Sequence, residues 1–196
     1  MEPGVHGHGV VRSLCGRNGK DGIQKPRQHK MNYIHPTAII GPNVTMGDGN
    51  YIGPYCVIGF PPEHKAYWVN QFGSGLVGEV VIGNNNVITG LVTIDSGTKL
   101  PTFIGSDNWF LKHSHVGHDA TIGDNVTVSC GAKIGGHCRL RNGVNLGLNA
   151  VVHQRVIIPE NCMIGMGAVI TKKTQMIPQQ KYAGNPAKWI GVNEKK

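Results

Sequence analysis

The chain has 196 residues, 39% of them apolar, enough for one domain with a sizeable core, and its 29 glycines are about twice the usual share of ~7%. No apolar run approaches the ~20 residues of a membrane-spanning helix, and no leader with an apolar core is visible. The five cysteines are odd in number and scattered, which argues against a disulfide framework and for a reduced, cytoplasmic protein; of the formal net charge of +8, half falls in residues 1–30 and the rest is ordinary for a chain that binds an anionic ligand.

Residues 1–30 hold six of the basic residues (Arg12, Arg17, Lys20, Lys25, Arg27, Lys30) against Glu2 and Asp21. The segment is Gly-rich and poor in apolar residues, so it is expected to be a disordered basic arm, or a non-native product of upstream translation ahead of Met31. No aromatic residue interleaves its charges, and a nucleic-acid partner is not expected. From Ile34 a period of six begins, through Ile40, Met46, Ile52 and Ile58, with Gly41, Gly47, Gly53 and Gly59 each one place later. Neither a helix nor an alternating strand puts one residue in six on a common face. A coiled strand does, and hexapeptide repeats predict a parallel β-helix, three hexads making one triangular coil of 18 residues.

Residues 60–79, FPPEHKAYWVNQFGSGLVGE, interrupt the pattern with consecutive prolines and several aromatics, and are predicted to be a long, functional loop thrown out from one corner. The hexads resume at Ile82, Ile88, Ile94 and Leu100, slip across Pro101 to Phe103, and run unbroken from Ile104 to Ile170. Cys56, Cys138 and Cys162 fall at the small inward position of a hexad and read as core. Beyond a helix spanning 31–174, residues 175–196 lose the period and contain Pro178 and Pro186, so they are expected to cap the last coil.

Residues 18 apart should lie above one another at ~4.8 Å per coil. One corner then collects Gly117, Gly135 and His153 in one column, His118, Gly136 and Gln154 in the next, and Asp119, His137 and Arg155 in the third. His118, Asp119, His137 and His153 are thereby brought within ~10 Å of one another. Such a cluster points to chemistry, because other corners carry mainly Gly, Asn and Asp.

The stretch HSHVGHDATIGDNVTVSCGAKIGGHCRL, followed by VVHQRVIIPENCMIG, resembles the core of the UDP-N-acetylglucosamine O-acyltransferases that begin lipid A biosynthesis. The resemblance runs from about Ile34 to Asn193. It implies an all-β fold, a left-handed parallel β-helix of triangular section with one long loop and a short cap, assembled as a homotrimer. It also implies His118 as general base, Asp119 as its orienting partner, and the Gly136 amide as oxyanion donor. His115, His137, His153 and Gln154 match residues that contact the sugar nucleotide or the acyl-phosphopantetheine. Glu63 and Lys65, in the long loop, roughly match an acid and a lysine that hold the sugar. The implied reaction moves an acyl group from acyl carrier protein or CoA to a nucleotide-linked amino sugar, with no metal and no permanently bound cofactor.

The residue types suit that chemistry in their own right. Attack on a thioester needs a base that works near neutral pH, a carboxylate to fix its tautomer, and an amide aimed at the tetrahedral oxyanion. Three other readings stay open. A CoA-dependent sugar N-acetyltransferase is the nearest; a zinc carbonic anhydrase of the γ type draws on His113 and His118, five residues apart; a non-catalytic β-helix would be a spacer or sugar-binding module. A second column, Cys130, Leu148 and Met166, puts apolar side chains at an outward position, and the resemblance implies that residue size at Met166 helps to limit acyl chain length, so a short or medium donor is expected.

Overall fold

The computed structural model describes residues 30–62 and 78–194. Residues 1–29 and most of the long loop, with Glu63 and Lys65, lie outside the described residues. The backbone winds as the expected left-handed parallel β-helix, its three faces being sheets of nine, seven and six strands. Most strands are only two residues long, one outward and one buried, as in Thr121–Ile122 and Thr127–Val128. The repeat of six follows from this unit: a short strand with one inward side chain, then a turn, then a small inward residue.

Stacking is regular. Ile104, Ile122, Leu140 and Ile158 lie above one another on one face, and Val116, Ile134, Val152 and Ile170 on another. The third face stacks Ile88, Phe110, Val128, Leu146 and Ile164. All are fully or almost fully buried, each worth ~1.5–3 kcal/mol of transfer from water. Cys56, Cys138 and Cys162 sit in this core, where burial pushes their thiols up and away from thiolate chemistry.

Most corners turn in two residues, the second in the left-handed region. Asn125, Asn149 and Asn161 do this with φ of 55° each, as suits a short polar side chain. The corner that carries His118 uses Asp119, His137 and Arg155 instead, with φ of 57°, 59° and 65°. Tyr55, Leu91 and His113, at a different corner, share this conformation with φ of 56°, 52° and 61°, so it belongs to the turn of the coil and not to one corner.

One coil departs from the expected pattern. Ile104 stacks on Ile82, 22 residues before it, whereas stacked residues in later coils are 18 apart. The four extra residues, Gly97–Leu100, leave the coil at the His118 corner. Leu100 is therefore not a core anchor; it is 60% exposed, and Thr102 fills the inward slot with no exposure at all. The apolar phase carried by Leu100 is a coincidence of composition, because its backbone no longer follows the coil. At the far end, Gln180–Ala183 extends the nine-stranded sheet in parallel beside Met163–Ile164 and then pairs antiparallel with Lys188–Val192. Tyr182 is buried there, its hydroxyl accepting the Ile177 N–H at 2.9 Å.

Candidate active site

The centre of the site is the turn between strands His115–Val116 and Thr121–Ile122. His118 donates from Nδ1 to Asp119 Oδ2 at 2.6 Å, so the lone pair of a neutral imidazole sits on Nε2. The Asp119 side chain is wholly buried, and that of His118 is 21% exposed. A buried carboxylate needs partners, and the four-residue insertion one coil below supplies them. Oδ1 accepts the N–H groups of Thr98, Lys99 and Leu100 at 3.1, 2.8 and 2.7 Å, and Oδ2 accepts the Thr98 hydroxyl at 2.6 Å. The Asp119 N–H donates to the Thr102 hydroxyl at 2.9 Å. Elsewhere at this corner the equivalent amide finds the carbonyl of the coil below, as His137 does with His118. Burial alone would raise the Asp119 carboxyl, but the hydrogen bonds from His118, Thr98, Leu100 and Lys99 outweigh it and hold the group well below the usual carboxylate range.

Gly136 and His137 stack on this turn. The His137 ring meets that of His118 edge to face, centroids 4.9 Å apart, with Nε2 3.7 Å from Asp119 Oδ2. Burial pushes His137 below its ordinary range, with Arg155, His118 and Lys99 reinforcing the shift and Asp119 opposing it. At Gly136 a Cβ would lie 2.7 Å from His118 Nε2, so the base packs directly on the glycine backbone. The Gly136 N–H meets no protein acceptor among the described residues, while its carbonyl accepts from Arg155.

The donor atoms of His118, Asp119 and His137 lie within 4.8 Å of one another, a span that a metal ion could bridge. Asp119 offers it little, since both its oxygens are already occupied by the five hydrogen bonds above. His113 and His118 occupy the turns before and after strand His115–Val116, so one chain does not bring that pair together.

His153 and Gln154 are exposed in the next coil of the same corner, His153 Nδ1 donating to the Gln154 carbonyl at 2.9 Å. His115 is half-buried on the adjoining face, with Nδ1 2.8 Å from Thr93 Oγ1 and Nε2 3.7 Å from Asp95 Oδ2. Met166 is 74% exposed and stacks with Leu148 at a different corner, so within one chain it does not reach the His118 cleft. Thr98, Lys99, Leu100 and Thr102 belong to the site although the periodicity alone does not mark them. The signal for them is the break in the hexads one coil before the His-Asp pair.

Comparison with known proteins agrees with this architecture. Residues 29–59 and 101–136 match the bacterial transferase hexapeptide (six repeats) family. The chain is 33% identical to the acyl-acyl-carrier-protein:UDP-N-acetylglucosamine O-acyltransferase of Paraburkholderia phymatum, covering 83% of this chain and 74% of the relative. The enzyme of the same name from Burkholderia lata is 32% identical over 76% of this chain, which spans only 55% of that relative's length. Among solved structures, a UDP-N-acetylglucosamine acyltransferase from Bacteroides fragilis superposes with a TM-score of 0.76 at 29% identity, covering 84% of this chain and 62% of that one.

Proposed function

Because the chain belongs to the UDP-N-acetylglucosamine O-acyltransferase family of hexapeptide-repeat proteins, we propose that it transfers an acyl group from a phosphopantetheine thioester to a hydroxyl of a nucleotide-linked amino sugar. The single observation that carries this reading is the placement of the His118 Nε2 lone pair against the Gly136 backbone. In one direct step His118 takes the hydroxyl proton while the oxygen attacks the thioester carbonyl. The Gly136 N–H donates to the developing oxyanion, and the tetrahedral adduct collapses as the C–S bond breaks and the thiolate leaves, to be protonated from the imidazolium. Asp119 holds the tautomer and stabilises the imidazolium between the two proton transfers.

Charge supports a phosphorylated substrate. The His118 corner carries the exposed cations Lys99, Arg155, Lys172 and Lys173, whereas Asp107, Asp124 and Glu160 lie on another corner. His115, His137, His153 and Gln154 are assigned to substrate contact, and Glu63 and Lys65 to the sugar. The protein is assigned to the cytoplasm as a homotrimer, its donor being acyl carrier protein or CoA, with no permanently bound cofactor.

The test incubates the purified protein with UDP-N-acetylglucosamine and acyl-carrier-protein or CoA thioesters, reading the nucleotide sugar by mass spectrometry. The expected result is a mass gain of one acyl group, and a His118→Ala variant slower by ~10²–10⁴ with unchanged circular dichroism. No acylation of UDP-linked amino sugars from either donor, or full activity without His118, would overturn the proposal.

A further inference from the structure

The carboxylate of Asp119 is held by more donors than orientation of one imidazole requires. Three amides and one hydroxyl from Thr98–Leu100 converge on it, in addition to His118. The turn that supplies them is longer by four residues than the turns stacked above it, which are His118–Asp119, Gly136–His137 and Gln154–Arg155. The Thr98 hydroxyl differs in kind from the three amides. It donates to Oδ2, the same oxygen that accepts from His118 Nδ1, and at the same 2.6 Å. Two donors on one oxygen share its negative charge, so each weakens the other's hold.

We infer that Thr98 is a positioning residue, which by competing with His118 for Asp119 Oδ2 sets how strongly the carboxylate stabilises the imidazolium formed when Nε2 takes a proton. A buried carboxylate with fewer donors would stabilise the imidazolium more strongly, and a base that holds its proton more tightly gives it up less readily to the leaving group. With the hydroxyl in place, part of that charge is already compensated and less of it acts on the imidazole. Among the described residues, Asp119 in its own turn bonds His118 and His137 in the coil above meets it edge to face, while Arg155 in the next coil and Lys99 in the coil below act on His137 beside it. Thr98→Val alters none of them and preserves the side-chain shape.

The inference uses the acyl-transfer reading only for its kinetic arm, and a spectroscopic arm stands apart from it. The His118 ring titration is followed by NMR on histidine-labelled protein, assigned with His118→Gln. Thr98→Val is expected to raise its midpoint by roughly half a unit to one unit, as expected when one charge-assisted bond to the shared oxygen is removed. Thr98→Ser, which keeps the hydroxyl, is expected to restore it. In the kinetic arm the acid limb of the kcat/KM profile moves upward by the same amount in Thr98→Val, with KM at high pH unchanged. An unmoved NMR midpoint in a folded Thr98→Val protein, or a Thr98→Ser midpoint that stays with Thr98→Val, overturns the inference. If the wild-type protein transfers no acyl group yet the midpoint shifts and reverts, the role of Thr98 stands and the acyl-transfer reading falls.

Discussion

At the scale of single residues, Gly136 is where geometry constrains the chemistry most tightly. A methyl group there would meet His118 Nε2 at 2.7 Å, Cε1 at 2.9 Å and Cδ2 at 3.0 Å. The obstruction is a side chain at a solvent-facing corner, so Gly136→Ala is expected to fold with a melting temperature within a few degrees of wild type while losing most turnover, at least ~10²-fold. Paired thermal melts and initial rates check this; an active Gly136→Ala protein would detach the imidazole from the reaction. Protonation supplies a second test. The native state keeps the Asp119 value low, so that contribution is complete above the ordinary carboxylate range of ~4 and fades as pH falls toward the native value. The native His137 value is also low, so the unfolded chain binds its proton first and stability starts to decline below ~6.5. Urea midpoints are therefore expected to fall between pH 7 and 5, and His137→Asn, which tolerates the left-handed turn, is expected to flatten that slope.

At the scale of the coil, each element contributes one large inward side chain and depends on the coils above and below it. Ile122 has no exposure and is stacked between Ile104 and Leu140. Ile122→Ala is expected to cost ~2–5 kcal/mol, read from denaturant unfolding. This stacking is also why so much was legible in advance: a strand with one inward residue per hexad prints its period directly into the sequence, and the columns at the His118 corner follow from counting by 18. What periodicity could not convey was the turn Gly97–Leu100, because an excursion from the coil obeys no period and its amides work through backbone geometry that any side chain could accompany. The same limit explains Leu100, whose apolar side chain keeps the phase while its backbone departs. For Met166, placed at another corner, a chain-length role needs a second copy to carry it to the cleft. Met166→Gly is therefore expected to accept donors several carbons longer only in an oligomer, which light scattering and a panel of graded donors check together.

At the scale of the molecule, four exposed cations gather at the corner that carries the candidate site. Lys99, Arg155, Lys172 and Lys173 line the edge that carries the His-Asp pair, and exposed cations of this kind attract phosphates from a distance of about one Debye length, ~8 Å at physiological salt. Raising the salt from low to high ionic strength is expected to increase KM several-fold for the phosphorylated substrates with little change in kcat. A Lys172→Glu, Lys173→Glu protein is expected to show the raised KM already at low salt, and a salt-independent KM would remove these lysines from substrate capture.

The extra turn at Gly97–Leu100 leaves Phe110 directly over Ile88 and Ile104 directly over Ile82, so the pitch of the scaffold is indifferent to what protrudes from its edge. Scaffold and apparatus are in that sense separable. A corner can acquire, lengthen or exchange a four-residue cassette without renegotiating the core, and a new reactivity can arise by splicing at a bend instead of repacking an interior. Grafted beneath a His-Asp turn of another hexapeptide solenoid, such a cassette would carry its carboxylate cradle with it.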